Sequence, residues 1–318
     1  MAALGPAKEK PMARVTVVGS CNVDLVTRTD RFPRPSEHLV ATEFGTFLGG
    51  KGANQAVAAR RAGAAVAMVA RVGDDAFGGQ IMSALASESI DVSGIGRDRT
   101  SSTGNASIWL DAAGENQILV FPGANGSLGP SEAVASVQGV RRGDVVLMQL
   151  EVPMATVTEV ARVVGSLGAI VALNAAPAAP LPEDLWRLIH VLIVNETEAS
   201  ALSGGLAPSD AAPSLRLRGN ASVVVTLGSD GCLVAPAGEA AVHHVPPFAP
   251  TAVVDATGAG DAFCGAMVAQ LATGMTLTEA ALWGNAAGSL AVEVLGAIPS
   301  MPSHDAIAGR LATTALTG

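Results

Sequence analysis

Apolar residues along this chain come in short blocks, separated by stretches whose apolar positions recur at helical spacing. The block "RVTVV", Arg14 to Val18, is rich in β-branched residues and stops at Gly19 and Ser20, which predicts a buried strand, the first of the core. Similar blocks recur in "AVAMVARVG", "DVVLMQL", "AIVALNAAP", "HVLIVNETE" and "SVVVTLGSDG". Between them, the alanine-rich "ANQAVAARRAGA" stops at Gly63, and "GGQIMSALASESI" and "MATVTEVARVVGSLG" also read as helices. Strand and helix therefore alternate. That pattern predicts an α/β fold with a doubly wound, mostly parallel sheet covered by helices on both faces.

Some segments break the rhythm. "EHLVATEFGTFLGG" and "ASIWLDAAGENQILVFPGAN" read as short strands outside the main layer, with "DAAGEN" placed as a hairpin turn. Near the C-terminal end, Phe263, Ala266, Met267 and Leu271 share one helical face, which predicts a helix from Ala262 to Thr273 with Gln270 at the edge of that face. "TLTEAALWGNAAGSLAVEVLG" predicts another helix, closing near Gly296. Ser203 to Pro213 reads as a surface loop, and the proline-bearing stretch on to Asn220 is not expected to be helical.

Composition narrows the classes of function. The 318 residues are 49% hydrophobic, enough for one large domain or a domain with a small appendage. A net charge of -9 offers no basic field for a polyanion, so a small molecule is expected as partner rather than nucleic acid. Cys21, Cys232 and Cys264 lie far apart and suggest neither a disulfide framework nor a zinc knuckle. His243 and His244 are neighbours, which on a strand point to opposite faces and so do not share a metal. With no apolar leader and no long uncharged apolar run, the expectation is a cytoplasmic protein without a membrane partner, preceded by a tail over residues 1–13.

Two familiar phosphate motifs fail on inspection. Gly45-x-x-x-x-Gly50-Lys51 has the outline of a P-loop, but Gly52 stands where Ser or Thr would hold Mg²⁺. The run from Gly258 to Phe263 has two glycines of a dinucleotide fingerprint and a phenylalanine in place of the third, which argues against a nicotinamide-dependent oxidoreductase. What remains is a set of polar loops at strand ends. Asn22 and Asp24, two apart, could clamp sugar hydroxyls or simply form a turn. Lys51 and Asn54 begin a helix after a glycine turn. Gly258 and Gly260 can expose backbone N–H groups to an anion, and Asp261 is either a plain helix N-cap or a base that takes a hydroxyl proton. Glu198 could hold Mg²⁺ through water, and the Thr226–Gly231 loop could meet nucleotide phosphates.

Taken in order, "GSCNVDL", "GGKGANQA", "VGDDAFG", "MQLE", "NETE", "TLGSDG" and "DATGAGDAF" resemble the ribokinase branch of the carbohydrate kinase family that includes phosphofructokinase B. The resemblance runs from about Arg14 to beyond Pro299. It implies a Rossmann-like doubly wound domain spanning 14–318, with a discontinuous β lid near 22–48 and 101–121 that closes over the sugar and pairs with a second subunit's lid in a homodimer. It implies ATP-dependent phosphorylation of D-ribose at the 5-hydroxyl. Asp261 then matches the catalytic base, and Gly258, Ala259 and Gly260 match the anion hole. Asn22, Val23, Asp24, Gly50, Lys51, Gly52, Ala53, Asn54 and Glu151 match sugar-binding positions. Asn195, Thr226, Leu227, Gly228, Ser229, Asp230, Gly231 and Asn285 match positions that bind ATP, together with Gly260 and Asp261. Glu198 matches the residue tied to Mg²⁺, and Asp255, Thr257, Ala291, Val294, Gly296 and Ser300 match the surroundings of an activating K⁺.

Overall fold

The β-branched blocks all become strands. A computed structural model of the protein describes residues 14–314, so the expected tail over 1–13 lies outside the described residues. In chain order the elements begin β1 (Arg14–Val18), β2 (Asn22–Arg28), β3 (Glu43–Gly49), α1 (Lys51–Arg61), β4 (Ala65–Gly73), α2 (Ala76–Ser87), β5 (Asp91–Asp98), β6 (Gly104–Leu110), β7 (Asn116–Phe121) and α3 (Pro130–Ser136). The middle of the chain contributes β8 (Val145–Met148), α4 (Met154–Ser166), β9 (Ile170–Asn174), α5 (Glu183–Trp186), β10 (Val191–Asn195), α6 (Glu196–Ser203) and α7 (Pro208–Gly219). The last part holds β11 (Ser222–Thr226), β12 (Cys232–Ala235), β13 (His243–Val245), α8 (Ala259–Leu271), α9 (Leu277–Ala291), α10 (Ala297–Ser300) and α11 (His304–Thr314).

Nine strands form one sheet in the order β13-β12-β11-β10-β9-β8-β1-β4-β5. All neighbours are parallel except β11 with β12 and β12 with β13. Alternate residues of each strand feed two separate cores. Val15, Val17, Val145 and Leu147 face α1, α8 and α9, whereas Val18, Val146 and Met148 face the layer of α3, α4 and α7. Burial on both sides is why these strands read as continuous apolar runs. From β1 the chain winds outward through β4 and β5, then returns to β8 on the other side of β1, so the order reverses between β1 and β8. The crevice beyond the carboxyl ends of strands at such a reversal is where open α/β sheets bind ligands.

The segments outside this rhythm form a four-stranded sheet, β3-β2-β6-β7. Its central pair, β2 with β6, is parallel, and both outer pairs are antiparallel. The "DAAGEN" turn joins β6 to β7 as expected.

Three expectations need correction. First, α8 begins at Ala259, with Gly258 as its cap at φ 80°, so Asp261 lies in the first turn and is not the N-cap. The helix is buried all round from Asp261 to Leu271, with Gln270 donating to the Ala62 carbonyl at 3.2 Å. It has no polar face because α1, α9 and the sheet enclose it. Secondly, α9 stops at Ala291, short of Gly296. The Val292 carbonyl turns away to accept the N–H groups of Val254 (2.8 Å) and Asp255 (3.2 Å).

Thirdly, the stretch expected to stay a loop contains α7, which runs through Pro213. Tertiary burial of Ala211, Ala212 and Leu215, all at 0% exposure, outweighs the missing donor and the ring clash. Replacing Pro213 with alanine should therefore stabilise the fold. An interior proline costs about 3 kcal/mol, partly offset by about 1 kcal/mol of unfolded-state entropy, so a gain of about 1–2 kcal/mol is expected in denaturant unfolding.

Candidate active site

The first wall of the crevice is the seam between β1, α1 and the loop after β8. The Ser20 carbonyl accepts the Ala53 N–H at 2.9 Å, and its hydroxyl accepts the Gly52 N–H at 3.3 Å while donating to the Glu151 carboxylate. The same Glu151 oxygen accepts the Lys51 N–H at 3.1 Å. The otherwise unpaired amides at the start of α1 are thus consumed by the protein. Gly50 supplies the turn before the helix at φ 90°. A Cβ on Gly52 would stand 2.6 Å from the Ser20 backbone, so only glycine allows this approach. Val23 is fully buried in the core, and Ala53 is 1% exposed, so neither turns its side chain to the crevice. Asn22 Oδ1 accepts Asn125 Nδ2 at 2.8 Å, and Asn125 clamps both backbone groups of Cys21.

Asp261 closes the other wall, 9% exposed. Its Oδ2 accepts Asn54 Nδ2 at 2.9 Å and its Oδ1 accepts Gln55 Nε2 at 2.8 Å. Of the three expected anion-hole positions, Gly258 is the helix cap, and the Ala259 N–H is taken by the Ala256 carbonyl at 3.2 Å. The N–H groups of Gly260 and Asp261 donate to no protein acceptor among the described residues. Two free amides at a helix start, with the helix dipole behind them, attract an anion. The carboxylate beside them can take a proton.

Charge is concentrated here. Burial raises the Asp261 carboxyl above the ordinary range, and Lys51 and the two amide donors oppose this without cancelling it. Asp24 is raised to about 6 by burial, with Glu151 and Asp261 adding to the effect. Burial would lower the Lys51 ammonium, but Asp261, Glu151 and Glu198 hold it above its ordinary value. Lys51 forms no ion pair within 4.0 Å among the described residues, so one unpaired cation sits among several carboxylates. Asn54 Oδ1 is buried without a partner, and Asp24 takes no protein hydrogen bond, which leaves both for a ligand. Beyond Asp24, a cavity of about 560 Å³ lies between the inner face of the small sheet (Val26, Phe47, Ile108) and the loops bearing Val254, Asp255 and Leu295.

The positions matched to nucleotide binding lie along the same sheet edge. β10 is three strands from β1, about 14 Å at ordinary strand spacing. Asn195 and Glu198 form a capping box on α6: Asn195 Oδ1 accepts the Glu198 N–H, and Glu198 Oε2 accepts the Asn195 N–H, each at 2.8 Å. A local helix start thus accounts for half of each side chain, and Glu198 Oε1 is left over. Thr226 to Gly231 makes a tight loop closed by the Leu227 N–H on the Gly231 carbonyl at 2.8 Å, containing Gly228, Ser229 and Asp230. Asn285 spends both amide hydrogens on the carbonyls of Val245 (3.1 Å) and Pro246 (2.9 Å), bracing the segment after β13.

Among the residues matched to a potassium site, Asp255 Oδ1 accepts the Thr257 N–H and Oδ2 accepts the Gly296 N–H, each at 2.9 Å. Burial would raise Asp255, but these donors hold it below the ordinary carboxylate value. Ala291 and Val294 close the turn that carries Val292, the Val294 N–H donating to the Ala291 carbonyl at 3.2 Å, and Ser300, 3% exposed, donates its hydroxyl to the Ala297 carbonyl at 2.7 Å. A carboxylate among backbone carbonyls supplies oxygen ligands, the kind a hard cation takes. No cluster of three or more His, Cys, Asp or Glu side chains able to hold a metal occurs among the described residues. A lone carboxylate such as Glu198 suits Mg²⁺, which keeps its waters and takes most of its protein-independent ligands from phosphate. No helix among the described residues is long and apolar enough to cross a membrane.

Sequence reasoning missed Ser20, Gln55, Asn125, Gln149 and Asn174. Each is a polar residue in or beside an apolar block, and that contrast was the available signal, since a buried polar group must find a partner.

Residues 12–304 match the pfkB family of carbohydrate kinases. The chain belongs to that family. This carbohydrate kinase is 38% identical to the ribokinase of Bacillus subtilis (strain 168), over 93% of its own length and 98% of the relative's. It is 37% identical to mouse (Mus musculus) ribokinase, over 95% and 97% of the two chains. It also matches a bifunctional ribokinase/ribose-5-phosphate isomerase A of Fructilactobacillus sanfranciscensis at 33% identity, spanning 56% of that protein. Among solved structures, Arabidopsis thaliana ribokinase complexed with ribose and ATP superposes with a TM-score of 0.87 at 32% identity, covering 94% of this kinase and 99% of the relative.

Proposed function

We propose that this kinase transfers the γ-phosphoryl group of ATP to the 5-hydroxyl of D-ribose, acting in the cytoplasm. The observation that carries the reading is Asp261: a buried carboxylate on the first turn of a helix whose two free amides stand beside it, at the reversal of strand order. Asp261 takes the hydroxyl proton as the sugar oxygen forms its bond to phosphorus and the bond to the β-phosphate oxygen breaks. The Gly260 and Asp261 amides and the Lys51 ammonium face the charge that develops on the phosphoryl group, and ADP leaves. Asp24 and Asn54 Oδ1 accept sugar hydroxyls. Asn195, Thr226 to Gly231 and Asn285 shape the nucleotide end. Glu198 would hold Mg²⁺ through water, and Asp255 would be the charged residue of a K⁺ site. Bound there, Mg²⁺ would supply positive charge to the phosphate oxygens, and K⁺ would supply it near the start of α8.

The small sheet acts as the lid that excludes water, and its outer face pairs two subunits. That pairing is supported by Trp109, Leu119 and Phe121, exposed at 41%, 76% and 51% on one face. Light scattering should show a dimer.

ADP release over a panel of pentoses, hexoses and nucleosides, with potassium and with sodium, tests the substrate. Ribose should be turned over best. A deoxyribokinase of Salmonella typhi is 36% identical over 79% of this chain, so 2-deoxyribose is the comparison that matters most. Equal rates across the panel would remove ribose and leave a kinase.

Asp24 carries a pH effect. Its folded-state value, about 6 against 3.8, means that the fold binds this proton more tightly than the unfolded chain. Ionising it therefore costs stability as pH rises from about 4 through 6. Asp24→Asn should stabilise the protein at pH 7 by about 1–2 kcal/mol while raising the ribose KM by about 10-fold or more, measured by thermal unfolding and initial rates. In the wild type, ribose KM should rise as pH falls below 6.

A further inference from the structure

Behind the proposed base lies a buried chain of amides. Gln55, wholly buried on α1, donates Nε2 to Asp261 Oδ1 at 2.8 Å and to Asn174 Oδ1 at 2.9 Å, and its Oε1 accepts Gln149 Nε2 at 2.6 Å. Asn174 in turn donates Nδ2 to the Ile193 carbonyl of β10 at 3.2 Å, so its oxygen is the atom that faces Gln55. Rotating the Gln55 amide by half a turn would set its oxygen against two acceptors and its NH₂ against a donor, so all three contacts would be lost. One amide orientation is therefore imposed by the ends of β8, β9 and β10.

Stability does not explain the arrangement. Gln149 is 0% exposed and its Oε1 has no partner; it packs where a Cβ on Gly19 would be only 1.9 Å away. An orphaned buried carbonyl costs free energy, and an apolar side chain of the same length would only move the orphan to Gln55 Oε1. What Gln149 does provide is the one donor that keeps Gln55 turned towards Asp261.

We propose that Gln55, oriented by Gln149 and Asn174, is a positioning residue that fixes the rotamer and the proton affinity of Asp261 during phosphoryl transfer. The inference rests on the reading of Asp261 as the base. A donor on Oδ1 favours the ionised carboxylate and leaves the Oδ2 side, shared with Asn54, for the incoming proton. The other groups that act on Asp261 are Lys51 of α1, Asp24 of β2, Glu151 after β8, Glu198 of α6 and Cys264 on its own helix. None of them touches Oδ1 through a hydrogen bond.

The test compares Gln55→Met, Gln149→Met and Asp261→Asn, reading kcat, ribose KM, the pH profile of kcat and the melting temperature. Gln55→Met should lower kcat by about 10-fold at pH 7, move the acid limb up by about one pH unit and change KM by less than about 3-fold. Gln149→Met does not touch Asp261 and exchanges one orphaned oxygen for another. It should shift kcat and the acid limb in the same direction with little change in melting temperature, and it decides the matter alone if Gln55→Met does not fold. Wild-type kcat and acid limb in the folded variants, or a fall in kcat that tracks melting temperature with an unmoved acid limb, overturns the proposal. If Asp261→Asn is inactive in that case, the base survives and only the role of Gln55 fails. If Asp261→Asn keeps its turnover, the base and the positioning role fall together.

Discussion

Asp261→Asn is expected to cut turnover by about 10²- to 10⁴-fold, the usual worth of a general base, while the protein stays folded. The amide is close to isosteric with the carboxyl group and keeps one oxygen to accept from Asn54 or Gln55. It also removes a buried charge that already faces Asp24, Glu151 and Glu198, so the melting temperature should not fall. Affinity for ATP should change little, because the free Gly260 amide and the Thr226–Gly231 loop are untouched. Initial rates at saturating sugar and nucleotide, with a melting curve, check this. Turnover within a few-fold of wild type in a folded variant would remove Asp261 from the reaction.

Gly52→Ala is expected to damage both fold and activity. The added Cβ would meet Ser20 N and O at 2.6 Å and Gly19 C at 2.7 Å. These are backbone atoms at the end of β1, which is held on both sides by β4 and β8, so α1 must move instead. The shift carries Asn54 and Gln55, which hold Asp261. We expect a loss of about 1–3 kcal/mol from overpacking and of about 10²-fold in turnover from misplacement of the base. Gly79→Ala is the control: it lies in α2 with nothing within 4 Å of the new Cβ, and should stabilise by about 0.5–1 kcal/mol with unchanged rates.

The two glycines differ only in what lies opposite them, and that difference marks the limit of reading a sequence. "GGKGANQA" shows a turn and a helix start, but not that Ser20 stands against Gly52. Likewise "NETE" suggested an ATP and metal site, and the structure spends half of Asn195 and Glu198 on a capping box, a purely local arrangement that the spacing already contained. α7 shows the reverse. Its proline argued against a helix, and burial against the sheet overrode the local preference.

Periodicity sufficed for the alternating strands and helices, the parallel sheet and the extra β-segments, because a strand buried on both faces and a helix with an apolar stripe each leave a pattern in consecutive residues. The order β8-β1-β4, the placement of Asp261 inside the first turn of α8, and the meeting of Asn54, Gln55, Asn174 and Asp261 left no such trace. Those contacts join residues up to 207 positions apart. Whether a carboxylate there is a surface cap or a buried base depends on its desolvation and its donors, and both are supplied by neighbours in space.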